Sequence, residues 1–308
     1  MTEAARAVSA ELIAVLVAVA AARPRVLTIQ DGRALPSGPF ELGHRSLQSG
    51  LRAWVERQTH HPLGYVEQLY TFADRDRTRG DGRRAISISY LGLTREVEAS
   101  AATEAGWRDW YAYFPWEDHR SGPPGMIAEA IEPQLRDWAG TEAEPASRDE
   151  RQQRAAITFG LDSRPWNEEL VLQRYELLYE AGLVPEALRD RRLGGAPVPG
   201  LPMGSDHRRI LATAIARLRA KIKYRPVVFE LMPDEFTLLQ LQRSVEGIAG
   251  RPVHKQNFRR LVEQQELVEE TGGMLAETGG RPAKLFRFRR EVLAERAVAG
   301  TKLPLARS

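Results

Sequence analysis

Residues 193–205, LGGAPVPGLPMGS, hold four glycines, three prolines and no charged side chain. Proline lacks an amide hydrogen and fixes its own φ, and glycine loses the most backbone freedom on ordering. Neither a helix nor a central strand survives that composition. The stretch therefore splits the 308-residue chain in two, and that length suits two domains. The two parts differ in charge. Residues 205–308 carry 20 Lys and Arg against 12 Asp and Glu, a net of +8, while the rest carries 24 against 29, a net of −5. A basic end on an acidic body predicts a polyanion as the partner of that end.

Hydrophobic content of 43% with 28% charged residues places the chain among globular proteins. With no cysteine, a disulfide framework and a thiolate metal site are both excluded, and the cytoplasm is the expected compartment. The early run ELIAVLVAVAAARPR resembles a secretion signal, but its uncharged part, Leu12 to Ala22, is too short to span a bilayer. Glu3 and Glu11 also spoil the basic start that secretion requires. A buried strand is expected there, and no membrane partner. RVLTIQ (25–30), LGYVEQLYTF (63–72) and AISISYLGLT (85–94) carry β-branched and aromatic residues in partial alternation and read as strands. SLQSGLRAWVERQT (46–59) sets Leu47, Leu51, Trp54 and Val55 at helical spacing behind a capping Ser46. From about 124 to 190 the pattern is helical, with AGTEAEPASRDE (139–150) read as a loop. Residues 1–192 thus form an α/β domain, a mixed sheet between helices with a helical extension, followed by the linker at 193–205.

Beyond the linker, Ser205 or Asp206 caps a helix with Ile210, Leu211, Ala214, Leu218 and Ile222 on one face. VVFEL (227–231), FTLLQLQRSVEGIAG (236–250), a break at Gly250-Arg251-Pro252 and HKQNFRRLVEQQ (254–265) follow. The strand-like runs ELVEET and LFRFRR then flank GGMLAETGGRPAK. Helix, helix, turn, helix and ribbon is the order of a winged helix-turn-helix, over 206–296, with a tail at 297–308. At about 100° per residue, Phe258, Leu261 and Val262 turn inward, while Gln256 and Arg260 point away. Asn257 and Arg259 lie on the flanks and Lys255 near the N-terminus. The second helix of such a motif enters the major groove, where Arg reads guanine and Gln or Asn reads adenine. Arg281 and Lys284, at the ribbon tip, are placed to touch phosphate or the minor groove. A solvated helix on a protein-binding domain is the plain alternative; the +8 charge and the basic ribbon favour double-stranded DNA.

LPSGPFELGHRSLQSGLRAWVERQTHH (35–61) resembles a Nudix box, G-x5-E-x7-R-E-U-x-E-E-x-G-U, that has lost its chemistry. Counted from Gly38, the first glutamate falls on His44, the arginine on Arg52 and the next glutamate on Ala53. The paired glutamates fall on Glu56 and Arg57, or on Arg57 and Gln58 when counted back from Thr59. One helical carboxylate cannot hold the Mg²⁺ cluster that polarises a phosphoryl group, so no catalytic residue, resident metal or catalytic cofactor is expected. This degenerate helix, then GYVEQLYTFADRDR and ISISYLGLTR, then a winged helix ending GGRPAKLFRFR, is similar to the Nudix-related transcriptional regulators of NAD metabolism, the NrtR and NadQ type. WYAYFPWEDHR and the helical extension resemble the alphaproteobacterial branch. The resemblance covers the chain to about residue 296. It implies a homodimeric repressor of NAD biosynthesis or salvage genes that binds operator DNA and senses an adenine nucleotide, NAD, ADP-ribose or ATP.

Without metal, arginine can hold phosphate directly in a bidentate fork. Arg52, Arg57, Arg75 and Arg77 lie on or near the box helix and the loop after the second strand, and Tyr70 could stack on adenine. Each also has a plain reading, as surface arginine or, with Tyr65 and Phe72, as core. The run Trp107, Trp110, Tyr111, Tyr113, Phe114 and Trp116 reads as core or interface, and His44, His60 and His61 as surface residues. The opposing functional class is a divergent Nudix hydrolase using Glu41, Glu56 or Glu67. The helices at 165–184 and 206–224 are apolar enough to pack on a partner and to transmit a signal between the halves.

Overall fold

The computed structural model describes residues 8–61, 63–73, 84–96, 105–189, 195–276 and 282–291. Its first domain is built on a mixed sheet of β1 (Val8–Ala20), β2 (Arg23–Thr28), β3 (Ser37–Pro39), β4 (Tyr65–Phe72), β5 (Arg84–Leu93) and β6 (Gly106–Asp109). The strand order is β4-β5-β1-β2-β6, with β3 also paired to β1. The β1–β5 pairing is parallel and the other pairings are antiparallel. The run that mimicked a secretion signal is thus the interior strand β1, buried from Leu12 to Ala18.

Period-two alternation along β1 feeds two cores. Leu12, Ala14 and Leu16 meet Leu51 and Val55 of α1 (Leu47–Thr59) on one face. Ile13, Val15 and Val17 meet the helical extension on the other. Helix α1 begins where Ser46 and Ser49 cap each other reciprocally, and it ends at His60, whose φ of 51° turns the chain out.

The extension consists of a π turn (Ile127–Ile131), α2 (Glu132–Gly140), α3 (Pro145–Phe159), α4 (Val171–Glu180) and α5 (Pro185–Arg189). The expected loop at 139–150 is shorter than composition suggested. Helix α3 starts at Pro145, because the first helical position needs no amide hydrogen and suits proline's fixed φ. As expected, 195–205 forms neither helix nor strand, yet it is packed: Val198 and Met203 are 3% and 1% exposed.

Helix α6 (His207–Lys221) lies against α4 and the sheet. Ile210, Leu211, Ala214 and Leu218 are fully buried within this one chain. The apolar face expected to await a partner is therefore already covered, since burying four such side chains at home is worth several kcal/mol. After a 3₁₀ turn (Val227–Leu231, the VVFEL run) come α7 (Leu238–Ala249), α8 (Lys255–Gln264) and a ribbon of β7 (Val268–Leu275) and β8 (Ala283–Phe288). One continuous core runs from the sheet through Trp110, Phe114 and Trp116 to Phe229, Phe258 and Val262. No helix among the described residues is long and apolar enough to cross a membrane.

Candidate nucleic-acid interface and its buried connection to the sheet

Helix α7 starts on a reciprocal Thr237–Gln240 cap and stops at Gly250, whose φ of 72° is left-handed. The chain then crosses Arg251 and Pro252 into α8. Phe258 and Val262 are buried, which fixes the rotation of α8. Leu261, expected inside, is 53% exposed. It sits at the rim of the stripe, which is only two residues wide on so short a helix. Lys255, Gln256, Asn257, Arg259 and Arg260 are exposed, and among the described residues none has a hydrogen-bond or ion-pair partner. Five donor-bearing side chains on the first two turns are thus free to meet base edges and phosphates.

Beside α8, Lys284 lies on β8 opposite Met274 and is held by both carboxylate oxygens of Glu270, at 2.8 and 2.9 Å. It sits one step back from the tip, in a surface ion pair whose two side chains are both more than half exposed and which phosphate can displace. Arg281 lies outside the described residues, as do Arg75 and Arg77.

The residues singled out on and near the Nudix-like helix lie as follows. Arg52 donates to the carbonyl oxygens of Leu63 and Gly64, fastening α1 to the chain that enters β4. Arg57 stands over the Trp54 ring, 4.5 Å from its centroid. Tyr70 is 55% exposed and meets Phe72 edge-on at 4.9 Å. Glu41 and Glu56 are exposed, whereas Glu67 accepts from Lys221 of α6 and from the Tyr65 hydroxyl. Burial pushes the Glu67 carboxyl up, but these two donors hold it below its usual range. No group of three His, Cys, Asp or Glu side chains among the described residues is arranged to hold a metal ion. His61, read as a surface residue, is instead buried, bonded to Thr94 at 2.8 Å and edge-on to Trp107. Burial lowers its pKa.

Sequence reasoning missed the connection between the halves. Glu117 is 1% exposed and lies between two fully buried arginines, Arg174 of α4 and Arg219 of α6. Burial alone would raise its carboxyl, but Arg174 and then Arg219 outweigh that and hold it below the usual range. Arg219 also reaches α7: its Nε donates to the Ile248 carbonyl at 2.9 Å. Tyr111 donates to the Gly247 carbonyl, and the His119 amide to that of Gly250, both at 2.7 Å. The WYAYFPWEDHR segment, expected as core or interface, is both. Its rings fill the core, and its polar groups grip the C-terminal end of α7, the helix that precedes α8.

The family model for the NrtR DNA-binding winged helix domain matches residues 228–288. The chain is 41% identical over 88 residues to the ADPR responsive transcriptional repressor NtrR of Acinetobacter baylyi, covering 29% of this chain and 35% of that protein. The match therefore spans about a third of the curated relative. Among solved structures, Shewanella oneidensis NrtR complexed with a 27mer DNA superposes with a TM-score of 0.56 at 20% identity, over 92% of this chain and 95% of that one. A MutT/nudix family protein from Enterococcus faecalis gives 0.50 at 16% identity, over 92% and 87%. At these identities the structural likeness establishes the fold: a Nudix-like domain followed by a winged helix.

Proposed function

We propose that this chain, which joins a Nudix-like fold to an NrtR-type winged helix, is a ligand-responsive transcriptional repressor of NAD biosynthesis or salvage genes. The observation that carries the reading is α8, anchored by Phe258 and Val262 with five exposed, unpartnered donor side chains on its first two turns. The effector is an adenine nucleotide, with ADP-ribose placed first because the Acinetobacter relative is described as responsive to it. NAD and ATP are the alternatives. The nucleotide is bound and not cleaved. The engagement of Glu67 by Lys221 and Tyr65, with no group of three metal-ligating side chains among the described residues, supports this, since metal-assisted hydrolysis needs convergent carboxylates. The repressor acts in the cytoplasm as a homodimer, because two reading helices fit successive major grooves about 34 Å apart.

The test is fluorescence anisotropy with duplexes selected from a random pool, at fixed salt, with and without nucleotide. The expected result is one selected site bound at least 1,000-fold more tightly than random DNA. ADP-ribose should shift that affinity, and the operator should shift ADP-ribose affinity by the same factor, as linkage requires. Selection that yields no preferred site would remove the repressor reading.

A further inference from the structure

The chain leaves α6 through residues 222–225 and enters the 3₁₀ turn behind Pro226. Between that passage, α7 and α8 lies a cleft of about 720 Å³, within the range of small-molecule sites. Val228, Phe229, Leu241, Phe258, Val262 and Leu267, all buried, give it apolar walls. Two features leave the space open. The buried stripe of α8 is only Phe258 and Val262, so Leu261 stands at the cleft 53% exposed instead of filling it. The Phe229 ring is committed to the ribbon, stacked on Phe288 with centroids 4.2 Å apart. Apolar walls around a void forgo dispersion contacts and offer water no hydrogen bonds, so they favour an apolar occupant.

The charge bordering the cleft is one-sided. Lys223, Arg225 and Arg251 share it with a single carboxylate, Glu168. Glu168 is already engaged, its Oε1 taking Lys223 Nζ at 2.8 Å and Arg251 Nη2 at 3.2 Å. Arg219 also lines the cleft, but its guanidinium is committed to Ile248, Glu117, Glu168 and Tyr111. Arg225 differs. It is exposed, and among the described residues its side chain has no hydrogen-bond or ion-pair partner. A free guanidinium beside an apolar cleft is complementary to a carboxylate at the end of an apolar chain. A cationic head in the same place would meet like charges.

We propose that this cleft is a ligand site for an apolar monocarboxylate, with its chain against Phe258 and Val262 and its carboxylate on Arg225. The site is separate from the nucleotide response, because no residue of the sheet or of α1 borders the cleft. Phe258 and Val262 also anchor α8, so an occupant bears directly on the seating of that helix.

The test is calorimetric titration of decanoate, below its micelle concentration, into the full chain and three variants. Val245→Trp fills the cleft from α7, and Arg225→Glu reverses the free charge beside it. Ile157→Ser removes an exposed apolar side chain of α3 and controls for non-specific adsorption. Decyltrimethylammonium carries the same chain on a cationic head. The parent should bind decanoate at one site, with about a tenfold or greater loss of affinity in Val245→Trp and Arg225→Glu and none in Ile157→Ser. Its affinity for the cation should be weaker by about the same factor. Arg225→Glu should melt with the parent, since the side chain is exposed, so the test does not depend on how the core tolerates a tryptophan. With decanoate bound, hydrogen exchange should slow in α8 and stay unchanged in α1. Parent-like decanoate affinity in Arg225→Glu, equal binding of the two head groups, or no slowing in α8 at saturation overturns the site. A parent chain that binds no decanoate overturns it too, and leaves the repressor reading standing.

Discussion

Arg219→Met tests whether the buried arginine fastens the winged helix to the sheet. Methionine keeps most of the aliphatic length and removes the guanidinium. In the structure that group makes five hydrogen bonds. Nε donates to the Ile248 carbonyl, Nη1 to Glu117 Oε2 and the Glu168 carbonyl, and Nη2 to the Glu117 carbonyl and the Tyr111 hydroxyl. Breaking a buried pair costs about 3–5 kcal/mol when the remaining charge is left alone. Glu117 keeps Arg174 at 2.5 Å, which moves the loss to the low end of that range. The stranded carbonyls of Ile248 and Glu168 each add about 1 kcal/mol. A total of ~5 kcal/mol results. For 308 residues the unfolding entropy is about 0.65 kcal/mol per kelvin, so the melting temperature should fall by about 8 °C. Calorimetry measures the fall, and hydrogen exchange locates it, with the amides near the end of α7 gaining exchange first. The half-exposed pair Arg154–Glu180 provides the contrast, since a surface pair contributes at most about 1 kcal/mol. A fall below about 2 °C in Arg219→Met, or exchange no faster in α7 than in α1, would refute the fastening role.

Three further outcomes are expected. Glu117 has its folded pKa held below the unfolded value, so its stabilisation is present above about pH 4.5 and is lost as pH falls through the folded pKa; Glu117→Gln should flatten the acid arm of the stability profile, and an unchanged arm would count against the pairing. On the selected operator Arg260→Ala should cost about 1–3 kcal/mol and relax preference at one base pair, whereas Lys284→Ala should weaken all DNA alike and lower the salt slope by roughly one unit; equal losses on specific and random duplexes from both variants would show that α8 does not read bases. With Mg²⁺ and ADP-ribose, NADH or NAD, the yield of AMP, the product of cleaving the diphosphate, should stay at the blank, and turnover abolished by Glu56→Gln would restore the hydrolase reading.

What the sequence made legible followed from periodicity and caps. The unbroken apolar run of β1 and the Ser46 cap of α1 are local signals, and the structure carries both. The order of helices and ribbon after residue 206 survived because turn glycines such as Gly250 punctuate it. The loop before α3 was misjudged because Pro145 breaks a helix interior and favours a helix start, and composition does not separate the two. His61 was misread because a histidine pair after a helix gives no sign that one ring turns inward to Thr94.

The connection between the halves was illegible for a different reason. Arg219 sits among the charged residues of ARLRAKIK, where each arginine reads as a solvated one. Its burial depends on Glu117, 102 positions away, and on α4 supplying Arg174 to the same carboxylate. No window of sequence contains all three. The same limit hid the cleft beside α8: Arg225 reads as one more basic residue of KIKYRP, and only the packing of α7 and α8 sets it at an apolar opening. The arginines that sequence did single out were those near a recognisable motif, and motif proximity says nothing about whether a guanidinium is already engaged. Arg52 is, by the carbonyls of Leu63 and Gly64. Anion binding requires N–H groups left over after folding, and that remainder can be counted only once the long-range partners are known.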